Sequence, residues 1–255
     1  MKNDTQIKFK NSGYILKKRL YTKRDTLIYE AEFDKIIKQL KKSNENINAR
    51  WGSDLTKNLE CENTSVLHTH NVQSFSSKMM EMIQDNRFLD YVEKIMGPDI
   101  ILHHSKLFLK PPKIGSAFPL HQDWSYFPTK NKSMIAAVIH LTDTLENMGC
   151  IKLIPESHKL GQIEKSDGHK FNKKIHGSFT LEKAKSITAK AGDVLFFNSS
   201  TLHGSMPNTS LSPRKTILIQ LYSGSDEVLN TNHTNVQLVL RGWNKFATRD
   251  SANSL

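Results

Sequence analysis

The chain has 255 residues, 37% hydrophobic and 24% charged, which is enough to bury a sizeable core and excludes a disulfide-stapled miniprotein or a disordered tail. Lys and Arg outnumber Asp and Glu by 36 to 25, a net charge of +11 that directs attention to acidic partners. The two cysteines, Cys61 and Cys150, lie far apart and outside any C-x-x-C pairing, which excludes a cysteine zinc site and a disulfide framework and makes a reducing cytoplasm the expected compartment.

No run approaches the roughly 20 apolar residues of a membrane helix, and residues 1–20 lack the apolar stretch of a secretory signal. In chain order, apolar residues at a helical period predict a helix over Thr26–Lys42, with Leu27, Ile28, Ala31, Ile36, Ile37 and Leu40 on its apolar face. A second helix is predicted over Ser76–Ile95, stopped by Gly97-Pro98. Beyond Pro98 the texture becomes short β-type runs: Leu107–Leu109, Ile135–Leu141, Ile151–Ile154, Ser186–Ala189, Val194–Phe197 and Thr216–Tyr222. Turn residues such as Asn147–Gly149 and Gly192-Asp193 separate them, a spacing that suggests a sandwich or jelly roll. Residues 160–180 form a long excursion, rich in Lys, Asn, Gly and His. The simplest division is a single domain over 1–255: helical cladding over 1–97, a β core over 98–225 and a C-terminal segment over 226–255.

The chemistry concentrates in Pro119-Leu120-His121-Gln122-Asp123-Trp124. On a strand, His121 and Asp123 would share one face. With the distant His203 they form the ligand set of a two-histidine, one-carboxylate facial triad, which leaves octahedral positions on iron open for a 2-oxo acid and dioxygen. Eleven residues after His203 stands Arg214, whose planar fork suits a carboxylate.

These residues belong to a longer series. Lys110-Pro111-Pro112, His121-Gln122-Asp123 with Tyr126-Phe127-Pro128, Gly149-Cys150 through Pro155-Glu156-Ser157-His158, Ala191-Gly192-Asp193-Val194, and His203-Gly204-Ser205 with Asn208 and Arg214 follow one another in order. The series resembles the phytanoyl-CoA dioxygenase family of iron(II)- and 2-oxoglutarate-dependent oxygenases over roughly residues 88–222. The resemblance implies a mainly β fold with α cladding, a double-stranded β-helix or cupin-like jelly roll. It implies Fe(II) on His121, Asp123 and His203, and 2-oxoglutarate held through its distal carboxylate by Arg214 and Ser205, with O2 as the other co-substrate. Lys106, which stands where a member of the family has a methionine lining the co-substrate site, is read with Arg214 and Ser205 as binding the co-substrate; Glu156 replaces the glycine of the PGSH motif, and a tryptophan common near Val138 is missing.

Some relatives exchange the carboxylate ligand for a small residue so that chloride binds iron; Asp123 is present, which favours hydroxylation. The expected reaction is hydroxylation of an aliphatic carbon of a small molecule, with release of succinate and CO2. Desaturation, ring formation or epimerisation at the same iron is the alternative, and a non-catalytic cupin-like or polyanion-binding protein is the alternative of another class. Gln122, Trp124, Tyr126 and His140 are candidates for the substrate pocket, whereas His103, His104, His158, His169, His176 and His233 read as ordinary strand or loop residues. Residues 1–50 hold 13 basic and 6 acidic side chains, so most of the charge is local. Clusters such as Lys17-Lys18-Arg19 lack any nucleic-acid-binding signature, so a nucleic-acid partner is not expected; an acidic small-molecule substrate is what the charge leaves.

Overall fold

A computed structural model describes residues 4–229 and 234–253, so His233 lies outside the described residues. In chain order the elements are α1 (Asp4–Ser12), β1 (Tyr14–Lys17), α2 (Lys23–Lys42), β2 (Leu67–His70), α3 (Ser77–Ile83) and α4 (Asn86–Met96). There follow β3 (Ile100–Lys110), β4 (Phe118–His121), β5 (Ile135–His140), β6 (Ile151–Leu153), α5 (Lys173–His176), β7 (Lys185–Ile187) and β8 (Val194–Asn198). The chain continues through β9 (His203–Ser205), β10 (Arg214–Ser223), β11 (Leu238–Arg241) and α6 (Arg249–Asn253).

The strands form two antiparallel sheets. The larger has the order β1-β8-β5-β10-β3-β11 with β2 also paired to β3; the smaller has the order β4-β9-β6-β7. Side chains alternate across the larger sheet. On one face Ala137, Ile139, Phe196, Ile217 and Ile219 pack with Tyr29, Phe33, Met79, Phe88 and Val92 of the helices. On the other, Ala136, Val138, Leu195 and Phe197 meet Ile151, Leu153 and Ile187 of the smaller sheet. The helices therefore cover one face, and the second face builds the interior between the sheets.

Several boundaries differ from the sequence reading for local reasons. Helix α2 begins at Lys23 because Thr22 and Asp25 close a reciprocal capping box, and its buried residues are Thr26, Tyr29, Phe33, Ile36, Ile37 and Leu40. Leu27 and Ile28, expected on the apolar face, are 58% and 41% exposed. The single helix expected over Ser76–Ile95 is two, because the Asp85 carboxylate accepts from the Arg87 backbone N–H and starts α4 afresh. Strand β3 is far longer than Leu107–Leu109: a register shift opposite Gln220/Leu221 moves the helix-facing residues from Leu102 to Leu107, and His103 to Lys106 break the apolar pattern. The C-terminal segment joins the larger sheet through β11.

Candidate metal and co-substrate site

The two histidines are brought together by pairing. His121 ends β4 directly opposite His203 at the start of β9, with ring centroids 4.1 Å apart. The strand does not continue to Asp123 as expected; residues 123–125 form a 3-10 turn, and that turn swings the carboxylate back to the histidines. Asp123 Oδ1 lies 3.6 Å from Nε2 of both His121 and His203. One donor atom from each of the three falls within 4.8 Å of the others, and all three side chains are buried.

The surroundings fix which atoms are free. His121 Nδ1 lies 2.8 Å from the Pro119 carbonyl and His203 Nδ1 lies 3.0 Å from the Thr201 carbonyl, so each ring donates there and leaves its Nε2 lone pair toward the centre. Burial, with His121 beside it, pushes His203 down to about 4, so it is neutral and able to ligate near pH 7. Burial alone would raise the Asp123 carboxyl; the neighbouring His203 and His121 and the Gln220 amide outweigh it and hold the group ionised. Gln220 Nε2 donates to Asp123 Oδ2 at 2.7 Å, which leaves Oδ1 for the centre. This donor set, two imidazoles with Nε2 turned to the centre and one oriented carboxylate, fits an octahedral iron with open positions.

A cavity of about 340 Å³ opens from this triad between the sheets. Its wall from the larger sheet is a ladder of register partners: Arg214 opposite Lys110, Thr216 opposite Phe108, and Leu218 opposite Lys106. At the first rung Arg214 is buried; it donates from its NH1 nitrogen to the Gly149 carbonyl, and its Nε–H has no partner among the described residues. Gly149 holds that turn at φ +67, where a Cβ would meet the Met206 carbonyl. Lys110, fully buried, donates to Ser205 Oγ at 2.6 Å and to the Met206 carbonyl at 2.7 Å. Burial, and then the charge of Arg214, push Lys110 well below the ordinary lysine range. Arg214 and Ser205 thus fit a carboxylate at the closed end of the cavity.

Of the pocket residues expected from sequence, Tyr126 lines the cavity, its hydroxyl donating to the Asp167 carbonyl at 2.7 Å; Lys106, expected at the co-substrate, lines it too, four residues along β3 from the partner of Arg214. Gln122, Trp124 and His140 do not line it. The Gln122 amide donates to the Gly161 and Ser200 carbonyls and accepts from Ile163 N and, at 2.5 Å, from Trp124 Nε1, so both side chains tie loops together. His140 is fully buried behind the wall, with Nδ1 3.2 Å from the Asp193 carbonyl. Burial and then Arg214 push it down to about 4. Trp51, Phe108, Phe118 and His68 line the cavity without having been anticipated, Trp51 with its ring centroid 4.6 Å from that of His121.

A metal-ready triad facing a carboxylate pocket inside a two-sheet β barrel defines an oxygenase of the iron and 2-oxoglutarate class. The profile described as Phytanoyl-CoA dioxygenase (PhyH) matches residues 9–216. Human peroxisomal phytanoyl-CoA dioxygenase is 28% identical over 242 residues, which span 89% of this chain and 70% of that protein. The solved structure of the alpha ketoglutarate dependent carbocyclase SnoK from nogalamycin biosynthesis superposes with a TM-score of 0.73 at 19% identity, covering 92% of this chain and 88% of that one. The epimerase SnoN, solved with Fe3+, alpha ketoglutarate and nogalamycin RO, has a TM-score of 0.70 at 18% identity over 89% and 85% of the two chains. The chain belongs to the phytanoyl-CoA dioxygenase family, and its fold is the cupin-like jelly roll of iron- and 2-oxoglutarate-dependent oxygenases.

Proposed function

We propose that this enzyme hydroxylates an aliphatic carbon of a small, acidic molecule, consuming 2-oxoglutarate and O2 and releasing succinate and CO2. The convergence of His121 Nε2, Asp123 Oδ1 and His203 Nε2 carries the reading, and these three side chains would hold Fe(II). Bound there, iron(II) and 2-oxoglutarate supply the oxygen activation that side chains lack. Arg214 and Ser205 orient the co-substrate by its distal carboxylate, with Lys110 Nζ holding Ser205 Oγ at 2.6 Å. Gln220 orients Asp123, while Trp51 and Tyr126 shield the His121 side from water. Asp123 fills the seat a halide would need, which supports oxygen transfer over halogenation.

Both cysteines are free thiols, which suits a reducing, cytoplasmic setting, and no helix among the described residues is long and apolar enough to cross a membrane. Two measurements test the assignment. Anaerobic addition of Fe(II) and 2-oxoglutarate is expected to produce a visible charge-transfer band, and its absence from metal-loaded protein overturns the reading. His121→Ala and Asp123→Ala are each expected to abolish succinate release; near-wild-type release from either contradicts the ligand assignment.

A further inference from the structure

The charged side chains lining the cavity are unequal in number. Arg50, Lys106 and Arg214 are cations, and the only carboxylate among the lining residues is Asp123. With iron(II) and 2-oxoglutarate in place, the metal, Asp123, Arg214 and the two co-substrate carboxylates balance. Arg50, exposed at the mouth, is matched outside the cavity by Glu60, whose Oε2 lies 2.8 Å from its Nε. Lys106 has no such match: the Phe127 ring stands 4.9 Å from its Nζ, and no carboxylate among the described residues pairs with it. Burial, opposed by the charge of Asp123, pushes it down to about 8, which leaves most of it charged near neutral pH.

The ladder separates Lys106 from the co-substrate's distal carboxylate. It is two inward positions from Lys110, the partner of Arg214, or about 13 Å along the strand. The carboxylate at the other end of 2-oxoglutarate would be neutralised by an iron(II) held on His121, Asp123 and His203. Phe127 stands beside Lys106, Phe108, Phe118 and Trp51 line the same cavity, and the buried Trp51 Nε1–H has no partner among the described residues. His68, beside Lys106, is held neutral by burial and then by that lysine, so it adds no competing charge.

We infer that Lys106 seats the acidic group of the primary substrate, and that this substrate is a monocarboxylate with an apolar body lying against the rings around it. The inference rests on the proposed iron and 2-oxoglutarate site. Among the lining residues Lys106 is the cation left without such a match, and one such cation selects one negative charge, which disfavours a diphosphate or a dianionic phosphate ester. The cavity's size, near the lower end of ligand pockets, agrees with a compact acid.

The test uses protein loaded with Ni(II) and 2-oxoglutarate. Its probes are straight-chain acids from butyrate to decanoate and 3-phenylpropionate, each beside its primary amide, read by calorimetry and by Tm. At least one acid is expected to bind about tenfold or more tighter than its amide. Lys106→Met and Lys106→Gln are each expected to erase that preference while keeping 2-oxoglutarate affinity within about threefold, and Lys106→Glu to favour 3-phenylpropylamine instead. Wild-type protein that takes up 2-oxoglutarate but no acid, amides that bind as well as acids, or an acid preference surviving in both neutral variants overturns the inference. So does a parallel loss of 2-oxoglutarate affinity in them, which would give Lys106 to the co-substrate. Failure of wild-type protein to bind 2-oxoglutarate at all overturns the function proposed above it.

Discussion

Ser205 shows how much one hydroxyl depends on a neighbour. Lys110 Nζ donates to its Oγ at 2.6 Å and to the Met206 carbonyl at 2.7 Å, which fixes where that oxygen sits near Arg214. Removing either partner is expected to weaken 2-oxoglutarate by roughly tenfold, the value of one hydrogen bond to a charged group. Ser205→Ala and Lys110→Met should not add, because the lysine acts through the serine. Binding of 2-oxobutyrate, which lacks the distal carboxylate, should be unaffected in both; equal weakening of the two acids would give Lys110 a general structural role. The triad and Arg214 are legible in the sequence because their residue types and order are unusual. Gln220 is not, because one amide in the run Thr216–Tyr222 shows its purpose only when β10 lies beside the Asp123 turn.

At the scale of elements, the sequence reads best where apolar alternation is undisturbed, as in β5 and β8, and worst where strands also line the cavity. The residues His103 to Lys106 of β3 look unlike a strand because half of that strand's faces serve the site and a bulge resets the alternation. The break between α3 and α4 was hidden for a different reason: the apolar period runs on through it, while the Asp85 cap is a single-residue signal. The turn after β6 bears another single-residue signature. Glu156 sits at φ 65, a left-handed conformation in which the family has glycine, and its ion pair with Lys159 is exposed. Relief of the left-handed strain outweighs that surface pair and glycine's greater chain entropy. Glu156→Gly is therefore expected to stabilise the protein by about 1 kcal/mol, raising Tm by about 2–4 °C; a lowered Tm would show that the side chain is needed there.

Across the whole molecule, the two faces of the larger sheet divide the labour: one is sealed by helices, and the other carries the chemistry. Three imidazoles on or near the chemical side are held neutral, His68 pushed to about 3 and His140 and His203 to about 4, chiefly by burial. A histidine with a depressed folded pKa contributes stability above its unfolded value near 6.5, and that stability is lost as pH falls toward the folded value. The metal-free protein is thus expected to lose Tm steeply between pH 6.5 and pH 4, whereas a flat profile across that window would mean that these rings are hydrated. The order of strands also bears on synthesis. Tyr14 pairs with Phe197, and the Gly13 carbonyl accepts from Asn198 N and Thr201 Oγ1, so the first strand made is seated by the eighth. While the chain emerges from the ribosome, residues 14–17 wait with their strand partner unmade, and the outer position beside β8 is filled only after β8 itself has appeared. Seating of this edge strand is in this sense a long-range event, tied to a partner made much later in the chain.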